Sequence, residues 1–173
     1  MNSRQIFTLL HSTIPKQFYG VFPSDQLPSK VAVFPACFVI NTDPSGKPGS
    51  HWVAIYIDSN KRGEYFDSYG RPPEILAIKS FLNEYSECWG YNEKRLQGLF
   101  SSVCGHYCIY FILQRAFGTP MSSFLDKFSS EEYEENDHLI TEWLNENFEL
   151  DTDTYNIDFI VNQVCHALFN NVD

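Results

Sequence analysis

Four side chains in this sequence are of kinds that can act together on a carbonyl group. Cys104 follows a short polar loop, Ser101-Ser102, and precedes a dense apolar run, Cys108 to Leu113, that ends at Gly118. That pattern predicts a loop feeding a buried helix, with Cys104 at or near the first turn. A helix N-terminus carries unpaired N–H groups and partial positive charge. A thiol placed there ionises more readily, and the thiolate is the nucleophilic form. Gln97, seven residues upstream, could reach over the loop and set an amide donor beside the sulfur. A nucleophile next to a fixed donor is the minimum for attacking a carbonyl carbon and holding the oxyanion that forms. The bland alternative is that Cys104 is a small buried hydrophobe, as cysteines in apolar helices usually are.

His51 and Asp67 bear on that choice. His51 to Ile57 reads as one strand, Ser59 to Gly63 as a turn, and Glu64 to Asp67 as the next strand. If this hairpin is centred on Ser59, His51 and Asp67 stand directly opposite each other, with Cβ atoms about 4.5–5.5 Å apart. A carboxylate there would hold the imidazole in one tautomer and stabilise its charged form. A one-residue slip would send the two to opposite faces, so the pair depends on register. The alternative is a histidine that merely begins a strand.

The elements that must position these residues follow from the chain in order. Ile6, Phe7, Leu9, Leu10 and Ile14 predict a first helix stopped by Pro15. Phe18 to Pro28 reads as an irregular wrap, and Val31 to Asn41 as a strand that begins near Cys37. Asp43 to Ser50 is a turn cluster, so three short strands form an antiparallel meander. Glu74 to Tyr85 predicts a surface helix, Cys88 to Tyr91 an irregular stretch, and Glu93 to Gln97 a short edge strand. The helix from Cys104 to Phe117 is apolar nearly all round and so is the buried central one. Met121 to Phe128 is a connector with a short helical turn. A helix capped by Ser129 or Ser130 runs to Asn147, Asp151 to Tyr155 is a loop, and Ile157 to Phe169 is a last helix. Cys165 and His166 sit on that last helix, where packing explains them.

Composition bounds the rest. A chain of 173 residues with 43% hydrophobic and 16% aromatic content fits one folded domain, 1–173, with a real core. No apolar run is long enough to cross a bilayer, and the first residues lack the build of a signal peptide, so the expected compartment is the cytosol or nucleus. The cysteines, at 37, 88, 104, 108 and 165, are odd in number and scattered, unlike a disulfide framework. Cys104, His106 and Cys108 are too crowded for a usual zinc site, and no metal is expected. Residues 1–120 carry 11 basic and 9 acidic side chains and residues 121–173 carry 1 and 13, which gives the net charge of −10. That balance argues against non-specific nucleic-acid binding by the acidic end, and a solvated helical face explains the acidity more simply than a docking site for a basic partner.

The blocks His51-Trp52, Tyr65 to Gly70, Gln97 and Cys104-Gly105 resemble the His, acid, Gln and Cys-Gly blocks of adenain, the adenovirus maturation protease. Related proteases occur in Maverick/Polinton elements and adintoviruses, and more remotely among SUMO and other ubiquitin-like-protein proteases. The order and the step of seven from Gln97 to Cys104 are similar, as are Phe18-Tyr19-Gly20 and the run from Cys37 to Trp52, so the likeness covers residues 15–118. It implies an α+β, adenain-like cysteine protease fold: a central buried helix bearing Cys104, packed on a small mixed or antiparallel sheet, with flanking helices.

The resemblance also implies roles. Cys104 would be the nucleophile, His51 its general base and then the acid, and Asp67 the residue that orients His51. Gln97 and the Cys104 N–H would form the oxyanion hole, and Trp52 would shield the pair from water. Asp67 stands where adenoviruses carry Glu, which speaks against close kinship to them. The implied function is a cysteine endopeptidase cutting after glycine or small residues, in capsid-type precursors of a virus or mobile element, without a metal or organic cofactor. An activating peptide bound through Cys88, as the adenovirus enzyme's is through its own cysteine, fits poorly because the spacing differs. The rivals are an isopeptidase acting on ubiquitin-like conjugates, an acetyltransferase, an inactive binding module, and a papain-like order using His138 or His166. An intracellular setting, with packaging in virions, goes with the viral reading.

Overall fold

The computed structural model describes residues 1–148, which leaves the expected last helix, with Cys165 and His166, outside the described residues. Strands β1 (Phe18–Pro23), β2 (Ala36–Asn41), β3 (Trp52–Ile57), β4 (Arg62–Phe66) and β5 (Cys88–Tyr91) form one sheet in that spatial order. Helices α1 (Ser3–Thr13), α2 (Leu76–Tyr85), α3 (Cys104–Ala116), α4 (Met121–Leu125) and α5 (Tyr133–Asn147) complete a mixed α+β structure. The meander β2-β3-β4 is antiparallel, while β1 and β5 add to its two sides in parallel.

Those outer strands correct the sequence reading twice. Phe18–Pro23 is a strand and not an irregular wrap, because pairing with β2 satisfies its backbone across an irregularity between Phe18 and Gly20. Cys88–Tyr91 is likewise a strand, delivered parallel to β4 by the α2 crossover. Glu93 to Gln97 is not a strand at all. Its end instead wraps against the turn after β4, with the Leu96 and Gln97 N–H groups both donating to the Ser68 carbonyl at 2.8 and 3.1 Å.

The β3–β4 hairpin turns one residue later than expected. Ala54 pairs with Phe66 and Ile57 with Gly63, which centres the turn on Asn60 and not Ser59. Lys61 adopts a left-handed φ of 57°, and the Asp58 carboxylate accepts from the Asn60 and Arg62 N–H groups, both at 2.8 Å. The loop is therefore three residues with a left-handed last position. His51 and Asp67 are not register partners, but the shift is an even one, and both residues stand immediately beyond the same end of the sheet.

The sheet is covered on both faces. Cys37, Val39, Ala54, Tyr56 and Phe66 pack with α1, α3, α4 and α5; Phe38, Ile40, Val53, Ile55 and Tyr65 pack with α2 and the segment before β2. This explains why β2 and β3 read as continuous apolar runs: both of their faces are buried. Helix α3 is buried at every position from Tyr107 to Gln114, as its unbroken apolar pattern predicts.

An aromatic cluster ties α3 to β4 behind the Cys104 end. Phe66 stacks on Phe111 at 4.6 Å and 12°, and Phe124 meets both rings edge-on at 5.4 and 5.5 Å. Phe66 immediately precedes Asp67, and Phe111 lies two turns beyond Cys104, so this packing sets the carboxylate relative to the thiol. Phe111→Ala is expected to cost about 3–5 kcal/mol, by lost burial and the cavity left behind. A urea titration checks it: the midpoint should fall with little change in slope.

Candidate active site

Cys104 is the first residue of α3 and is 8% exposed. The cap position, Val103, offers no side-chain acceptor to the helix start. The first N–H groups of α3 therefore point outward with no intrahelical partner. Gly105 lies against Trp52, and a Cβ there would stand 3.3 Å from the indole Cδ1.

His51 and Asp67 meet at the end of the sheet. His51 Nε2 lies 2.8 Å from Asp67 Oδ1. A carboxylate only accepts, so Nε2 carries the hydrogen and Nδ1 is left for the thiol. Both side chains are largely withdrawn from water, at 17% and 6% exposed. Tyr69 packs on the imidazole at 5.0 Å between ring centroids, and its own N–H donates to the same Asp67 Oδ1 at 2.8 Å.

The electrostatics favour a charged pair. Burial is the largest influence on His51 and pushes it down, but hydrogen bonds to Asp67 and Cys104 and their charges outweigh it and raise it to about 9. For Cys104, burial pushes up. The hydrogen bond from His51, the Trp52 N–H and the imidazolium charge more than reverse this and hold the thiol below its ordinary value. Cys37 and Cys108, by contrast, are raised by burial, which the Arg115 charge offsets only in part at Cys37. Cys104 is thus set apart from its buried neighbours by its surroundings.

The Gln97 side chain is buried beside this pair. Its Oε1 accepts from the Ser68 hydroxyl at 2.6 Å, and its Nε2 donates to the Ser101 carbonyl at 2.9 Å and the Ser101 hydroxyl at 3.0 Å. The carbonyl can only accept, which fixes which end of the amide is nitrogen. His51, Trp52, Tyr69, Gln97 and Cys104 all line one open cavity of about 610 Å³, walled by the β2–β3 loop and the start of α1.

The remaining sequence candidates lie elsewhere. Cys88 is exposed on β5, level with Arg62 at the far end of β4 from Asp67. His138 sits exposed on α5, 3.0 Å from Glu142. Among the described residues no group of three or more His, Cys, Asp and Glu side chains could hold a metal ion, and no helix is long and apolar enough to cross a membrane.

Sequence reasoning missed the supports. Asn92 is 1% exposed; its Oδ1 accepts from the Asp67 N–H at 2.9 Å and its Nδ2 donates to the Asp67 carbonyl at 2.7 Å. It acts as a strand partner for a residue just past the end of a strand. Gly70, at φ 69°, closes the turn after Asp67 so tightly that a Cβ would come within 2.8 Å of the 93–95 backbone. The motif-like run Asp67-Ser68-Tyr69-Gly70 was the available signal for Ser68 and Tyr69; nothing in the sequence marked Asn92.

The pair sets a pH window. Between the lowered Cys104 value and about pH 9 the sulfur is anionic and the imidazole protonated. Below pH 9 the protein is expected to react with iodoacetamide, read on the peptide containing Cys104, faster than a free thiol of pKa about 8.5 does. In His51→Ala that advantage should be lost, and the rate should rise only as the pH passes through the ordinary thiol range.

No protein-family model matches the chain. A protein of Acanthamoeba polyphaga mimivirus that carries the name thiol protease is 34% identical over 95 residues, covering 49% of this chain and 31% of that protein. The match thus spans about a third of the length of the curated relative. Among solved structures, the ASFV protease is 28% identical with a TM-score of 0.39, covering 60% of this chain and 43% of that one. The central domain of an uncharacterized Legionella pneumophila protein is 16% identical with a TM-score of 0.47, covering 84% and 94%.

Proposed function

We propose that this chain is a cysteine peptidase of the adenain-like type that hydrolyses peptide bonds in protein substrates. The observation that carries the reading is the Asp67–His51 hydrogen bond of 2.8 Å, aimed at a thiol on the first residue of a buried helix. The name of the mimivirus relative adds support from the matched 95 residues.

The reaction runs as follows. The Cys104 thiolate attacks the scissile carbonyl carbon, and the carbonyl oxygen becomes an oxyanion. The Cys104 N–H donates to it, and the Gln97 Nε2 turns one of its hydrogens from Ser101 to it, with the helix start adding partial positive charge. His51 gives its Nδ1 proton to the departing amine, the C–N bond breaks, and a thioester remains. Water, deprotonated by His51, attacks the thioester, and the carboxylic acid and thiol are released. Asp67 holds the imidazole by Nε2 throughout and does not exchange its proton. Trp52 keeps bulk water from the pair. Thiol, imidazole and water balance every step, so neither a metal nor an organic cofactor is required. Substrates cut after glycine or small residues, in capsid-type precursors, complete the proposal on the strength of the sequence resemblance.

Labelling by an electrophilic peptide probe ending in Gly-Gly tests this. Labelling is expected in the wild type, in His138→Ala and in Cys88→Ser, and should be lost in Cys104→Ala and His51→Ala. Loss in His138→Ala would favour a papain-like order, and loss in Cys88→Ser a tethered peptide. Labelling of another cysteine in Cys104→Ala, at the wild-type rate, would contradict the assignment.

A further inference from the structure

Gln97 is held from outside its own loop. The residues on either side of it are both hydrogen-bonded to α5. Asn136 Nδ2 donates to the Leu96 carbonyl at 3.0 Å, and Asp137 Oδ2 accepts from the Gly98 N–H at 3.0 Å. The Tyr107 hydroxyl of α3 lies 2.9 Å from Asp137 Oδ1 and 3.3 Å from the Leu96 carbonyl, so one O–H braces both anchors against the helix that bears Cys104. Asn136 is 3% exposed and spends its other groups on Ser129, donating to the carbonyl and accepting from the N–H, each at 2.9 Å.

Gly98 is what lets the carboxylate approach. A Cβ at that position would stand 2.8 Å from Asp137 Oδ2. The Gln97 backbone is also fixed, since its carbonyl accepts from Arg95 Nε at 2.8 Å and its N–H donates to Ser68 at 3.1 Å. With both neighbours bolted, the direction in which the Gln97 side chain leaves the loop is set. An oxyanion donor has to sit within about 2.7–3.1 Å of the developing charge, so a loop that drifts by about an ångström loses most of the effect.

We infer that Asn136 and Asp137 of α5 are positioning residues, which hold Leu96 and Gly98 and thereby aim the Gln97 amide at the oxyanion. The inference rests on the hydrolase reading of Cys104. It makes α5 part of the catalytic apparatus, although neither residue touches the reacting atoms.

The test is hydrolysis of a peptide ending in Gly-Gly-aminomethylcoumarin by the full chain and by Asp137→Ala, Asp137→Asn, Gln97→Ala and the Asp137→Ala/Gln97→Ala double variant. Asp137→Ala should lower kcat by about ten- to a hundredfold with KM little changed. Asp137→Asn should recover part of that, because its amide oxygen can still accept from the Gly98 N–H. The double variant should be no slower than Gln97→Ala alone, since one residue acts through the other. Alkylation of Cys104 by iodoacetamide forms no oxyanion, so its rate and pH profile should stay unchanged in Asp137→Ala.

Additive losses in the double variant, or alkylation falling in step with kcat, would mean that α5 merely supports the fold and would overturn the inference. Turnover lost in Gln97→Ala but untouched in Asp137→Ala would overturn the inference alone and leave the hydrolase reading standing. No turnover by the wild type would contradict that reading, and the inference would fall with it.

Discussion

One carboxylate oxygen organises this site. Asp67 Oδ1 takes the His51 Nε2 hydrogen and the Tyr69 N–H at once, each at 2.8 Å, in a place only 6% exposed. A buried carboxylate without such donors would be costly. With them it becomes a fixed negative charge that holds the imidazole and offsets the cost of charging it. The charged imidazole in turn lowers the thiol. Removing the carboxylate would therefore undo both ionisations.

The fold can be understood as the means of keeping that oxygen still. Phe66, one residue earlier, is locked into the aromatic stack with Phe111 of α3. Asn92 grips the Asp67 backbone from one side, and the turn through Ser68 and Gly70 closes it from the other. The same Ser68 reaches Gln97 through its hydroxyl and its carbonyl. A single short segment after β4 thus orients the acid, packs on the imidazole and anchors the amide. Rigid support of this kind is what electrostatic stabilisation of a transition state demands.

Much of this was legible in the sequence, for identifiable reasons. The loop-then-apolar run at 101–113 reads as a buried helix with Cys104 at or near its first turn, and α3 begins at Cys104. The meander followed from turn chemistry at Asp43–Ser50 and Ser59–Gly63. The hairpin centre was off by one residue because a left-handed lysine is a rare turn residue, yet the even shift kept His51 and Asp67 together. The outer strands were illegible. Phe18–Pro23 and Cys88–Tyr91 contain proline or glycine and short apolar stretches, and only their partners make them strands. The supports Asn92, Asn136 and Asp137 were hidden for another reason: their bonds span 25 to 40 residues, which no local pattern records.

The central claim is that His51 is charged because Cys104 and Asp67 face it. A pH titration of the His51 imidazole by NMR, in the wild type and in Cys104→Ala, tests it most directly. Titration near pH 9 is expected in the wild type, with a clear fall once the sulfur is gone. Titration near the ordinary histidine value of about 6.5 in both proteins would contradict it.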